Sequence, residues 1–208
     1  KMAFSGNQDL VYLDVLTEQL AEAGSLVLFH RLTFIKKLEE WANTIHQKIT
    51  FGKEVLKISY KSQLELTDTL SEKELFEMLL KEFEATRTKD LKQLTTSIGP
   101  HRDDLVFDVN GKNVQNFGSQ GQQRTTALSL KLAEIELINA EIGEYPVLLL
   151  DDVLSELDDD RQVHLMEFIE NKLQTFLTTT SLTHLENKLN ITPEIFNISH
   201  GVVERNSD

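Results

Sequence analysis

Val147-Leu148-Leu149-Leu150-Asp151-Asp152 is the stretch that decides how this chain folds. Pro146 introduces four aliphatic residues, a run that suits a short strand covered on both faces. Two carboxylates follow at once, which puts acid at the carboxyl edge of a sheet, where open α/β sheets bind ligands. The first can hold Mg²⁺ through water, and the second can orient or deprotonate an attacking water. A strand that merely runs into an acidic loop would carry the same six residues.

Outward from that run the pattern sharpens. Downstream, Ser155-Glu156-Leu157-Asp158 completes the string LLLDDVLSELD. Upstream, Gly118-Ser119-Gln120-Gly121-Gln122-Gln123-Arg124 leads into a long amphipathic helix over 122–142, with Leu128, Leu132, Ile135 and Ile138 inward. Two glycines let backbone approach a ligand, Ser119 offers a hydroxyl, and the helix start presents free N–H groups to an anion. A glycine-rich helix cap accounts for the same residues without any ligand.

The rest of the second half alternates strands and helices. Asn110-Gly111 reads as a two-residue hairpin turn between Val106 and its neighbours and 112–115. A helix over 160–172, a strand over 175–179 and a terminal hairpin around His200-Gly201 follow. The first half has another texture. Apolar positions repeat every three or four residues from 8 to 49, as one long helix or two core helices, with Ser5 and Gln8 as a weak capping box and Gly24 as a candidate break. A strand over 54–60 comes next, then a helix opened by Ser71 and Glu74, with 89–93 as a polar connection. The expected division is a mainly helical subdomain at 1–93 and an α/β lobe at 94–208.

Composition describes an ordinary globular chain. It has 208 residues, 40% hydrophobic and 26% charged, with 21 basic and 34 acidic side chains and a net charge of −13. No run approaches the roughly 18 apolar residues of a membrane span, so no membrane is expected. With no cysteine there is no disulfide framework or thiolate site, which fits a reducing cytosol. The six histidines show no metal-ligand spacing. Bulk acidity argues against nucleic acid as a partner, but it is unevenly placed. Residues 1–100 carry a net of −2 and residues 101–208 a net of −11. Seven basic groups fall within 31–61, among them Lys36, Lys37 and Lys48, and form either a polyanion-binding stretch or a solvated helix face.

Taken together, GPHRDD at Gly99 to Asp104, GSQGQQRTTALSLKLAE at Gly118 to Glu134 and YPVLLLDDVLSELDDDRQ at Tyr145 to Gln162 resemble the bacterial RecF family. LDVLTEQLAEAG at Leu13 to Gly24 and ISYKS at Ile58 to Ser62 extend the resemblance over nearly the whole chain. The family is related to ATP-binding-cassette ATPases and to the heads of chromosome-maintenance proteins. The resemblance implies an α/β fold, the signature and Walker B lobe of such a head with a helical arm. It makes Asp151 the Walker B aspartate for Mg²⁺ and gives Asp152 the place of the catalytic acid. Gly118, Ser119, Gln120, Gly121 and Gln122 become the signature loop, which meets the γ-phosphate of ATP held by a partner subunit. Ser155 and Asp158 become D-loop residues at the dimer interface. Thr180 stands where such ATPases carry a sensor histidine, and His184 reads as a surface residue. His101 and Arg102 either line a functional surface or start a strand.

The resemblance further implies ATP and Mg²⁺ as cofactors and an ATP-dependent homodimer. Its expected partners are double-stranded or gapped DNA, RecR and RecO, with a functional link to RecA, in a cytoplasmic, nucleoid-associated setting. Lys36, Lys37 and Lys48 are the candidate DNA contacts. No G-x-x-x-x-G-K-[ST] loop occurs, so nothing cradles the β- and γ-phosphates. The expectation is therefore the C-terminal part of a longer ATPase, inactive by itself. A head fragment of another chromosome-maintenance-like ATPase, or a relic ATPase fold serving as an interaction module, are the alternatives.

Overall fold

The computed structural model describes residues 7–67, 69–170, 172–180 and 192–205, so Ser5 and His184 lie outside the described residues. Helix α1 runs unbroken through Asn7–Ile49. Gly24 does not interrupt it. A Cβ there would lie 3.0 Å from Leu79 Cδ1, so the glycine marks where the next helix packs closest. Strand β1 (Leu56–Lys61) follows, then α2 (Glu72–Gln93). Ser71 and Glu74 form the expected capping box. Residues 89–93, expected as a polar connection, are instead the last turn of α2. The helix ends only at Leu94, whose left-handed backbone returns its N–H to Asp90 O.

Strand β2 (Asp104–Val109) pairs antiparallel with β1 and with the two-residue β3 (Lys112–Asn113). Asn110 and Gly111 both have positive φ, as a tight hairpin turn requires. Gln115 is not in the strand. It belongs to the short helix α3 (Val114–Phe117), capped by the Asn113 side chain. Helix α4 (Gln120–Ile142) leads to β4 (Leu148–Asp151), a 3₁₀ turn at Val153–Glu156, α5 (Asp159–Ile169) and β5 (Thr175–Thr178). Strands β4 and β5 run parallel, so β4–α5–β5 is a crossover unit. Strands β6 (Phe196–Ser199) and β7 (Val202–Arg205) form the expected terminal hairpin.

Two hydrophobic clusters meet along α1. Ala21 and Leu28 pack with Leu75, Leu79 and Phe83 of α2. Further along, Ile35, Leu38, Ala42, Ile45 and Ile49 join β1, α4, β4 and α5 in the larger core. Tyr60 packs against both. None of the described helices is long and apolar enough to cross a membrane.

Two expectations about burial fail, each for a geometric reason. Strand β4 is not covered on both faces. Leu150 is buried, but Leu149 is 72% exposed, because the only described partner of β4 is β5 and alternate side chains leave on the open face. On α4, Ile138 is 38% exposed while Leu128, Leu132 and Ile135 are buried. At about 100° per residue the buried arc centres on Thr125, Ser129, Leu132 and Glu136, and Ile138 falls roughly opposite it. Small polar residues occupy the inner face there, so a count of aliphatics is misled.

Candidate functional site

The two acids sit where β4 ends. Asp151 and Asp152 are both exposed, and Asp152 takes a left-handed backbone (φ 51°) that turns the chain out of the sheet. Their neighbour across the ladder is Thr178, paired in register with Asp151. Its hydroxyl donates to Asp151 Oδ1 at 2.5 Å and accepts from the Asp152 N–H at 3.1 Å. One threonine thus fixes both a carboxylate orientation and the turn after it. Sequence reading passed over Thr178 in favour of Thr180, which is exposed in the bend after β5. Strand alternation holds the signal, since a residue paired with the last residue of β4 faces the same side.

Among the described residues only one Asp151 carboxylate oxygen takes a side-chain hydrogen bond, and such a hard oxygen donor suits Mg²⁺, which commonly takes one or two protein carboxylates and fills its shell with water and phosphate. Among the described residues no cluster of three His, Asp or Glu side chains can hold a metal by itself. Asp151 fits the part of a single protein ligand.

Ser119 is the N-cap of α4. Its hydroxyl accepts from Gln122 N at 3.2 Å, while Gln122 Oε1 accepts from Ser119 N at 3.0 Å. The capping box begins the helix at Gln120, two residues earlier than periodicity implies. A hydroxyl has one proton and two lone pairs, so accepting from Gln122 N leaves the Ser119 proton for a ligand. Ser119 and Gln120 are exposed at this helix end, where N–H groups and the helix dipole favour an anion.

The glycines also answer a steric demand within the fold. Neither Gly118 nor Gly121 has positive φ. A Cβ on Gly118 would lie 2.5 Å from Val114 O, and one on Gly121 would lie 3.2 Å from Arg161 Nη1. Arg161 belongs to α5 and pairs with its own N-cap, Asp158, at 3.2 Å. The guanidinium therefore stands between the Gly118–Arg124 loop and Asp158. Ser155, which donates to Asp152 O at 2.9 Å, links that segment back to the acids.

Behind the loop lies a connection absent from the sequence pattern. Gln122 Nε2 donates to Glu54 Oε1 at 3.0 Å, and His46 Nε2 stands 3.2 Å from Glu54 Oε2. His46 is wholly buried, and burial lowers its pKa below the ordinary 6.5, against an opposing pull from Glu54 and together with a smaller push from Arg161. His46 Nδ1 is 3.1 Å from Ser129 Oγ.

His101 and Arg102 close a turn, through His101 Nε2 and Arg102 Nε on Thr96 O and Arg102 Nη2 on Thr95 Oγ1. The basic stretch is divided. Lys37 pairs with Glu141 at 2.5 Å, Arg31 reaches Tyr60 and Pro100 O, and Lys57 and Lys61 lie opposite Asp108 and Asp104. Lys36 and Lys48 are exposed on α1, about 120° apart around the helix, with Lys37 between them and about 20° from Lys48.

No protein-family model matches the chain. Among curated relatives, the DNA replication and repair protein RecF of Enterococcus faecalis is 58% identical over all 208 residues, which are 56% of its length. That of Pediococcus pentosaceus is 51% identical with the same coverage. Among solved structures, the recombination mediator protein RecF with ATPrS, in the RecFOR pathway, superposes with a TM-score of 0.80 at 36% identity, covering 98% of this chain and 52% of that one. Its ATP-bound counterpart gives 0.80 at 33% identity. The chain thus spans little more than half the length of the relatives it matches. By sequence and by fold, this chain is similar over its whole length to RecF proteins.

Proposed function

We propose that this chain supplies the signature, Walker B and D-loop faces of an ATP-dependent, DNA-binding recombination mediator that acts in gap repair and RecA loading. The observation that carries the proposal is Arg161, which brings the D-loop residue Asp158 and the signature residue Gly121 to one side of the molecule. A partner subunit's nucleotide, cradled by that subunit's P-loop, would meet both there. Asp151 would hold Mg²⁺, which when bound screens the charge on the phosphates. Asp152 would orient the attacking water, and its short side chain suits slow hydrolysis. Ser119 would donate its free proton to the γ-phosphate. RecR and RecO remain the expected protein partners, and gapped or duplex DNA the expected polyanion, met at Lys36 and Lys48, with Lys37 already held by Glu141.

Light scattering tests the ATP reading, using the chain joined to a P-loop half. Addition of ATP should produce a dimer, and Ser119→Ala or Asp151→Asn should weaken it. Association indifferent to both variants would refute the proposal. The 208-residue chain alone should not turn ATP over, and turnover abolished by Asp152→Asn would contradict that. DNA contact is tested by the salt slope of binding after neutralising Lys36, Lys37 and Lys48, and an unchanged slope would remove α1 from the interface.

A further inference from the structure

Resting on the signature role proposed above for Ser119, we propose that Glu54, with His46 behind it, is a positioning residue for that loop. Each hydrogen bond leaves its neighbour little choice. Ser119 N–H donates to Gln122 Oε1, so the other end of that amide, Nε2, must point at Glu54. The Glu54 carboxylate accepts on both oxygens, from Gln122 at 3.0 Å and from His46 Nε2 at 3.2 Å. A neutral His46 then carries its proton on Nε2, and Nδ1 accepts from Ser129, which shares one hydroxyl proton with Thr125 O at 2.8 Å. The chain of contacts runs from the buried wall of α1, through the segment before β1, to the residue whose backbone N–H occupies Ser119 Oγ.

Glu54 thereby selects one rotamer and one amide orientation for Gln122. Without it the Gln122 side chain can turn to water, the reciprocal bond to Ser119 N opens, and the Ser119 hydroxyl is no longer held with its proton outward. The cost appears when ligand binds, because the loop must then be ordered anew.

The proposal makes an unusual demand of the isosteric variant. In Glu54→Gln the amide oxygen must face Gln122, so its NH₂ faces His46 Nε2. His46 can accept only by moving its proton to Nδ1, which then donates to Ser129 while Ser129 keeps Thr125 O. Every group remains satisfied, so Glu54→Gln should preserve the loop while switching the imidazole tautomer.

Imidazole ¹⁵N NMR on the 208-residue chain should show Nε2–H in the wild type and Nδ1–H in Glu54→Gln. An unchanged tautomer overturns the network. The second measurement is the ATP concentration for half-maximal dimerisation of the chain joined to a P-loop half. Glu54→Ala and Gln122→Ala should each raise it about 5- to 10-fold, as loss of one ordered polar contact implies, with Glu54→Gln within about twofold of wild type. The double variant should be no worse than either single one, since both cut the same link. Gln122 is half-buried in the first turn of α4, so its variant keeps the test open if Glu54→Ala unfolds. Wild-type ATP dependence in Gln122→Ala, or additive effects in the double variant, would overturn the positioning role. Ser119→Ala serves as the control: if it too leaves dimerisation unchanged, the failure belongs to the signature assignment instead.

Discussion

Replacing Gly118 by alanine isolates the steric demand at the junction of α3 and α4. The backbone there (φ −72°, ψ 140°) is one that alanine adopts freely, so no penalty arises from φ or ψ. On that ground alone the substitution should stabilise by about 0.4–1 kcal/mol through the unfolded chain. Space decides otherwise. The new Cβ would lie 2.5 Å from Val114 O, and contacts under 3.0 Å force a shift. The obstacle is backbone oxygen, already bonded to Gly118 N at 2.9 Å, so α3 or the α3–α4 junction must move by about 0.5 Å. Overpacking of this kind costs about 1–3 kcal/mol, and the net loss should be about 1–2 kcal/mol. For a chain this long that lowers the melting temperature by about 2–8 °C. Gly121→Ala is the matched comparison. Its Cβ meets only the end of a flexible arginine at 3.2 Å, and alanine favours the helix by up to about 1 kcal/mol, so this variant should melt no lower than wild type. Calorimetry on the three proteins at one pH decides the matter. Gly118→Ala melting at or above wild type would refute the clash, and equal losses in both variants would refute the distinction.

Leu132→Ala should cost about 3 kcal/mol, because Leu132 is fully buried, whereas Ile138→Ala on the outer side of α4 should cost under about 1 kcal/mol; urea unfolding measures both. Lowering the pH should destabilise the fold through His46. Its pKa is depressed by burial, so the unfolded state takes up a proton first and stability falls as pH drops below about 6.5, a slope that His46→Gln should flatten in melts between pH 5 and 8. At the alkaline end Tyr60, with its pKa raised to about 12, keeps its proton after unfolded tyrosine loses it near 10, so stability should decline above pH 10, and less steeply in Tyr60→Phe. Thr178→Val removes the donor to Asp151 and the acceptor for Asp152 N, and should slow any ATP turnover of the joined protein at least about tenfold while leaving the strand pair intact.

Much of this was legible because its signals are local. The LLLDD run placed β4 and its terminal acids, and Asn110-Gly111 fixed the hairpin. Ser71 and Glu74 marked a helix start to the residue. Contacts between distant positions were not legible. Glu54 and Gln122 are 68 residues apart, and Thr178 meets Asp151 across 27. Nothing in a linear pattern ties a glutamate ahead of β1 to a glutamine opening α4. The α4 face was misjudged at Ile138 for a related reason. Buried Thr125 and Ser129 send their hydroxyls to carbonyls of their own helix, at 2.8 Å in each case, and so pass as polar surface to any count of apolar residues. Gly118 and Gly121 were recognised, but their obstacles, Val114 O and the Arg161 guanidinium, come from folded neighbours.

The unbroken α1 has a mechanical consequence. Forty-three residues at 1.5 Å each make a rod about 65 Å long. His46 sits at one end, against the network behind Ser119, and the contacts with α2 lie toward the other. A rod has few internal degrees of freedom, so motion at one end becomes motion at the other. A tilt of about 5° about the His46 end would carry the far tip about 5 Å, on the order of one helical turn. Rearrangements of a few tenths of an ångström at the loop would thus be magnified along the rod, past its contacts with α2.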